Sequence, residues 1–242
     1  MARLILNCDL GENESLEQTA ALLAQVGAAN ICCGVHAGSL AKTTSTIQLA
    51  SEAGVMIGAH PGLAGSGGRG GDLPISTEFE ALLAAQVDGF CEAAAAVGAD
   101  VRYVKLHGSL YHAVEVNADL RAIFLQFMGG RPELGLFVLA GGLCAREAAA
   151  QGIQVWAEAF VDRGYLDNGG LVPRGEPGAI LGTVEAVERV RQWLSIGQMS
   201  AIGGATFPLQ ADTLCVHADS PGAVDLLVSL RAEFTEAFGS KV

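Results

Sequence analysis

The sequence predicts an α/β protein, a single β/α barrel of about seven parallel strands. Three observations carry that expectation. Seven short apolar runs, at about 3–8, 29–33, 55–59, 102–106, 135–139, 154–158 and 213–217, alternate with helix-spaced stretches. The runs are almost continuously apolar, as in parallel strands covered on both faces. Polar side chains also stand at the exits of most of the runs, whereas an open sheet gathers its site at one switch point. No linker or composition break divides the chain, so residues 1–242 are expected to form one domain.

The elements follow in order. RLILNC leads into Asp9 and a helix at about 15–26. AANICCGV runs to His36, with a helix at 41–53, and VMIGA runs to His60. Ser76-Thr77-Glu78 reads as the start of a helix spanning 77–97. VRYVKL leads to His107, with a helix at 117–128 beyond it. The 135–139 run precedes a helix at 143–151, and QVWA leads to Glu158 and Asp162. A helix at 183–196 precedes DTLCV, which ends on His217, and Ser220-Pro221 opens the last helix, 221–237. Three segments break this rhythm: a glycine-rich loop at 61–75, a long loop at 161–178, and a non-helical excursion at 197–212. The first two leave strand exits, where barrels carry lids and specificity loops.

Composition narrows the function. The net charge of −12 argues against nucleic acid or an anionic membrane as partner. Charged residues make up only 17% of the chain. That fits a surface partly covered by another protein chain, including a second copy, and equally a plain Ala/Gly bias. The six cysteines show no CxxC pair, no apolar stretch is long enough to span a bilayer, and a polar residue arrives by position 7. The expectation is a reduced, soluble, cytoplasmic protein.

Residues two apart on a strand face the same way. Asn7 with Asp9, Lys105 with His107, and His217 with Asp219 use that spacing at strand exits. One such histidine is commonly a structural hydrogen-bonder, but four at four exits indicate a site. Asp9, His36 and His60 can meet across adjacent strands, and a metal site would be drawn from them. HxH, HxxxH and HExxH are all absent, so a bound transition metal is not the expectation. Lys105, inside an apolar run, needs either an acidic partner such as Glu158 or Asp162, or an anionic ligand. GSGGRG at 65–70 continues to Asp72-Leu73-Pro74 instead of opening a helix. It reads as a lid, or as a phosphate nest aided by Arg69. In the loop after the sixth run, Arg163 and Arg174 have the guanidinium geometry that suits carboxylate or phosphate.

Together these residues look familiar. NCDLGE (7–12), NICCGVHAG (30–38), IGAHPG (57–62), VKLHGSLYH (104–112), EAFVDRGY (158–165), GGLVPR (169–174) and CVHADSP (215–221) resemble the signature segments of the LamB/YcsF lactam-utilisation family. The resemblance runs from about residue 3 to the final helix, although Leu106 stands where the family has proline. It implies a barrel like those of glycoside hydrolases and polysaccharide deacetylases. It also implies the A component of a bacterial 5-oxoprolinase, which opens 5-oxoproline to glutamate with ATP, Mg²⁺ as its counter-ion, and two further subunits. On this reading Asp9, His60, Lys105, His107, Glu158 and His217 carry the catalysis. Asn7, Glu12, His36, Arg69, Asp162, Arg163, Arg174 and Asp219 hold substrate or phosphate. Two alternatives stand beside it: a metal-dependent amidohydrolase or deacetylase working without ATP, and a non-catalytic binding subunit.

Overall fold

The computed structural model describes residues 3–65 and 72–238. Strand β1 (Ile5–Leu10) is followed by α1 (Leu16–Leu23), β2 (Ala28–Cys32), α2 (Leu40–Glu52) and β3 (Met56–His60). Next come α3 (Ser76–Leu83), α4 (Gly89–Ala96), β4 (Val101–Val104), α5 (Gly108–Val116) and α6 (Ala118–Gly129). The chain continues through β5 (Gly135–Leu139), α7 (Leu143–Ala150), β6 (Val155–Phe160) and α8 (Thr183–Ile196). A short antiparallel pair, β7 (Gln198–Ser200) and β8 (Thr206–Pro208), precedes β9 (Thr213–His217) and α9 (Ala223–Glu233). The barrel closes in the order β1-β2-β3-β4-β5-β6-β9, all neighbours parallel, with β9 pairing back onto β1. This is the expected seven-stranded ring. No helix among the described residues is long and apolar enough to cross a membrane.

Helix starts follow local chemistry. Ser15 caps α1 and closes a reciprocal box with Gln18, and Ser39 accepts from the Lys42 amide at the start of α2. The expected 77–97 helix runs unbroken from Ser76 to Ala96, with a π turn at Ala84–Asp88 between its two α segments. One expectation needs correction. The 117–128 helix has an unforeseen predecessor, α5, which starts without a side-chain cap and so carries no start signal. Asn117 ends α5 and caps α6, accepting from the Asp119 and Leu120 amides.

Alternate strand residues fill the interior in layers. At the N-terminal end Tyr103 stacks on Phe137 with ring centres 3.8 Å apart, and Trp156 meets both rings at an angle. Ala28 completes this plug, with Ile5 and Met56 against it. Gly58 lies opposite Tyr103 in the ladder, and a Cβ there would come within 2.1 Å of the ring. The glycine makes room for the tyrosine. Above the plug the same inward positions turn polar. The Tyr103 hydroxyl donates to Asn30 Oδ1 at 2.7 Å, and the Asn30 amide reaches Asn7 Oδ1 and Asp9 Oδ1, each at 2.7 Å. Asn7 in turn donates to the Thr213 hydroxyl. This belt satisfies buried groups that apolar neighbours would leave unpaired.

Candidate active site at the C-terminal rim

Lys105 anchors the site. The ladder to β3 continues past β4, with the Lys105 amide on the Ala59 carbonyl and the His107 amide on the Pro61 carbonyl. Both side chains are thereby held toward the barrel axis, while Leu106 joins the apolar core. The buried ammonium lies 2.9 Å from Asp9 Oδ1, 3.0 Å from Glu158 Oε1 and 3.2 Å from Cys215 Sγ. Of the two sequence readings of Lys105, an acidic partner is what the structure shows. Glu158, fully buried beneath it, receives this ion pair but no aligned hydrogen bond, and reaches the cavity through the ammonium. Burial works against the charged form of Asp9, but Lys105 and His60 hold its carboxyl well below the usual range.

On one side of Asp9 stands His217. Its Nδ1 donates to Asp162 at 3.0 Å, and Asp162 also accepts from the His217 amide and the Ser220 hydroxyl. Despite burial, the His217 and Ser220 contacts pull Asp162 down to about 2. With Nδ1 so committed, His217 Nε2 presents its lone pair inward, 3.9 Å from Asp9 Oδ2. On the other side, His60 Nδ1 donates to the Lys105 carbonyl at 2.7 Å, turning Nε2 toward Asp9 Oδ2 at 3.5 Å and His107 Nδ1 at 3.0 Å. His36 stacks on His107 with centres 3.8 Å apart and faces Glu12 Oε1 at 3.2 Å. Burial would lower His36, but the Cys32 thiol and Glu12 raise it to about 9.

A cavity of about 310 Å³ opens onto this cluster, lined by Asp9, His60, Lys105, His107 and His217, and across from them by Tyr111, His112, Phe160, Arg163 and Arg174. That volume suits a small molecule. On the wall the Tyr111 hydroxyl lies against Glu158, and Arg174 Nη2 is a buried donor with no aligned partner among the described residues. Burial, then Glu158, pushes the Tyr111 phenol well above its ordinary value, so it stays protonated and able to donate.

The structure brings together all six residues expected to carry catalysis, with Asn7, Glu12, His36 and Asp162 around them. The remaining expected binders are placed differently. Arg163 lines the cavity, yet its guanidinium donates to the Ala179 and Val172 carbonyls and braces the loop after β6. Asp219 holds Arg174 Nη1 at 2.9 Å. Arg69 lies outside the described residues. Among the described residues the expected trio Asp9, His36 and His60 is divided: His36 and His60 cluster with Glu12 and His107, and Asp9 with Cys215 and His217. Sequence reading missed Asn30 and Tyr103, whose inward parity was the available signal, and Tyr111 and His112, which arrive on α5.

Comparison with known proteins follows the same lines. The model of the LamB/YcsF family matches residues 4–241. A protein of Paracidovorax citrulli, named as the A component of 5-oxoprolinase, is 41% identical over 93% of both chains. Its namesake from Syntrophobacter fumaroxidans is 38% identical over 99% of this chain and 97% of its own. Among solved structures, the lactam utilization protein of Thermus thermophilus superposes with a TM-score of 0.87 at 30% identity over 97% of each chain. A family 4 carbohydrate esterase from Streptomyces lividans shares the fold alone, with a TM-score of 0.50 and 13% identity over 96% of this chain and 89% of its own.

Proposed function

This chain belongs to the LamB/YcsF family, and we propose that it is the ring-opening subunit of an ATP-dependent 5-oxoprolinase, converting 5-oxoproline to glutamate. The observation that carries this reading is the meeting, in one small cavity, of the Tyr111 and Arg174 donors with the His217–Asp162 dyad. A cyclic amide bearing a carboxylate offers two acceptors to match. The carboxylate meets Arg174 Nη2 and the lactam oxygen meets the Tyr111 hydroxyl. The relatives named as 5-oxoprolinase components support the choice of lactam.

Opening the ring breaks the carbonyl carbon–nitrogen bond, adding hydroxyl to carbon and a proton to nitrogen. His217 Nε2 takes the proton from the attacking water, because Asp162 fixes its tautomer and stabilises the imidazolium. Asp9, held ionised by Lys105, is a weak base and orients that water. The His217 imidazolium then returns that proton to the leaving nitrogen. An unstrained lactam reacts slowly and its hydrolysis runs uphill, so ATP supplies the drive. Its γ-phosphoryl group passes to the amide oxygen with loss of ADP, water attack and C–N cleavage leave an acyl phosphate, and a second water releases phosphate and glutamate. The sequence carries no GxxxxGK[ST] phosphate loop, and we place ATP with its Mg²⁺ on the partner subunits.

The test is glutamate release from 5-oxoproline by the purified chain, with and without ATP and the partner subunits. Release that needs all of them supports the reading. Robust release by the chain alone without nucleotide refutes it and favours an ATP-independent amidohydrolase, whereas lactam binding without turnover in the full complex marks a binding subunit.

A further inference from the structure

Glu12, His36, His60 and His107 each bring one ligand-type atom into a cluster in which all four atoms lie within 4.8 Å of one another. Ring orientation divides them. The His60 and His107 planes cross at 83°, and His60 Nε2 lies 3.0 Å from His107 Nδ1. The two nitrogens are close enough to share one ion. Two ligands bound to one ion at about 2.0–2.1 Å stand about 2.8–3.0 Å apart in octahedral and about 3.3–3.4 Å apart in tetrahedral geometry, and this pair fits the octahedral spacing. Glu12 Oε1 adds a third atom, 3.5 Å from His107 Nδ1. His36 lies parallel to His107, only 9° off, so no single ion can sit in the plane of both rings. It faces Glu12 instead, which makes it a support for the carboxylate.

Two further features mark the cluster as built. The outer nitrogen of His60 donates to the Lys105 carbonyl, the kind of outer contact that aims a ligating imidazole. Gly62 passes so close that a Cβ would come within 2.6 Å of His36 Nδ1 and 2.9 Å of His107 Cβ. The surroundings are acidic, with Asp9 Oδ2 3.5 Å from His60 Nε2. His60, His107 and Asp9 line the cavity, so further coordination positions would face it.

We propose that Glu12 Oε1, His60 Nε2 and His107 Nδ1 form a site for a divalent transition ion of the zinc, cobalt or manganese class, open toward the cavity. This set replaces the Asp9, His36 and His60 trio expected from the sequence. Such an ion supplies Lewis-acid polarisation of a carbonyl, or a bound water of lowered pKa. The assignment stands on the geometry of the cluster and does not rest on the lactam reading.

The test titrates the metal-stripped full chain with Co²⁺ and Zn²⁺, followed by absorption and by metal content after gel filtration. One ion per chain is expected, with weak d–d bands and no thiolate charge-transfer band. Glu12→Gln and His107→Gln should each weaken binding by about 100-fold or more, and His36→Ala by about 10- to 100-fold as an outer-contact loss. Cys215→Ser should bind as wild type does, which separates this site from the neighbouring Asp9, Cys215 and His217 group. Circular dichroism confirms that each variant folds. No retained ion, thiolate bands, or wild-type affinity in both Glu12→Gln and His107→Gln would overturn the proposal. Glutamate release from the full complex judges the lactam reading separately.

Discussion

The two ends of the barrel interior are built from the same seven strands and the same inward parity, yet they do opposite work. At the N-terminal end Tyr103, Phe137 and Trp156 close the ring by stacking. Two residues further along the same strands stand Lys105 and Glu158, with His60, His107 and His217 at the rim above them. The plug is satisfied by contact, whereas the rim is satisfied only by partners of the right charge and proton state. Rim residues therefore divide into groups that hold the rim together and groups poised for chemistry, and burial does not separate the two.

Lys105 gives the largest expected effect. Its ammonium neutralises both Asp9 and Glu158, so Lys105→Met strands two buried carboxylates. The expected loss is about 3–5 kcal/mol of stability in urea unfolding, the scale for breaking a buried pair. A melt equal to wild type would move Lys105 into the group poised for chemistry. Next comes the plug. Gly58→Ala drives a Cβ into the Tyr103 ring and should cost about 1–3 kcal/mol in the same assay, with little change in lactam binding. Unchanged stability would mean that the plug is loosely packed.

Asp162 gives a smaller effect, visible in acid. Its pKa of about 2 lies below the ordinary carboxylate value, so ionised Asp162 favours the folded state. That contribution is complete above the ordinary value and is lost as pH falls toward 2. It amounts to about 2 kcal/mol. Asp162→Asn should flatten this part of the acid-unfolding curve between pH 4 and 2. An unchanged acid limb would show that the dyad does not hold its charge.

Much of this division was legible in the residues. The spacing of Asn7 with Asp9 and of Lys105 with His107 placed four side chains on the interior, because strand parity is a local property. Asn30 and Tyr103 obey the same rule and went unread, since a buried asparagine or tyrosine announces no chemistry until its partner is known. Tyr111 and His112 depended on α5, whose start has no capping oxygen. Arg163 shows the sharpest limit. Its sequence neighbourhood fits an anion binder, but a long side chain folds back onto whichever carbonyls the tertiary loop presents, here those of Val172 and Ala179. Charge type was readable, but side-chain destination was not.

The central claim is that the His217–Asp162 dyad serves the chemistry while the plug and Lys105 hold the structure. The most direct measurement pairs thermal melting of His217→Gln with its glutamate-forming turnover in the reconstituted complex. The account predicts a melt depressed clearly less than that of Lys105→Met and turnover lower by about 10²-fold or more, the scale for losing a general acid–base group. Wild-type turnover, or a melt as depressed as that of Lys105→Met, would contradict it.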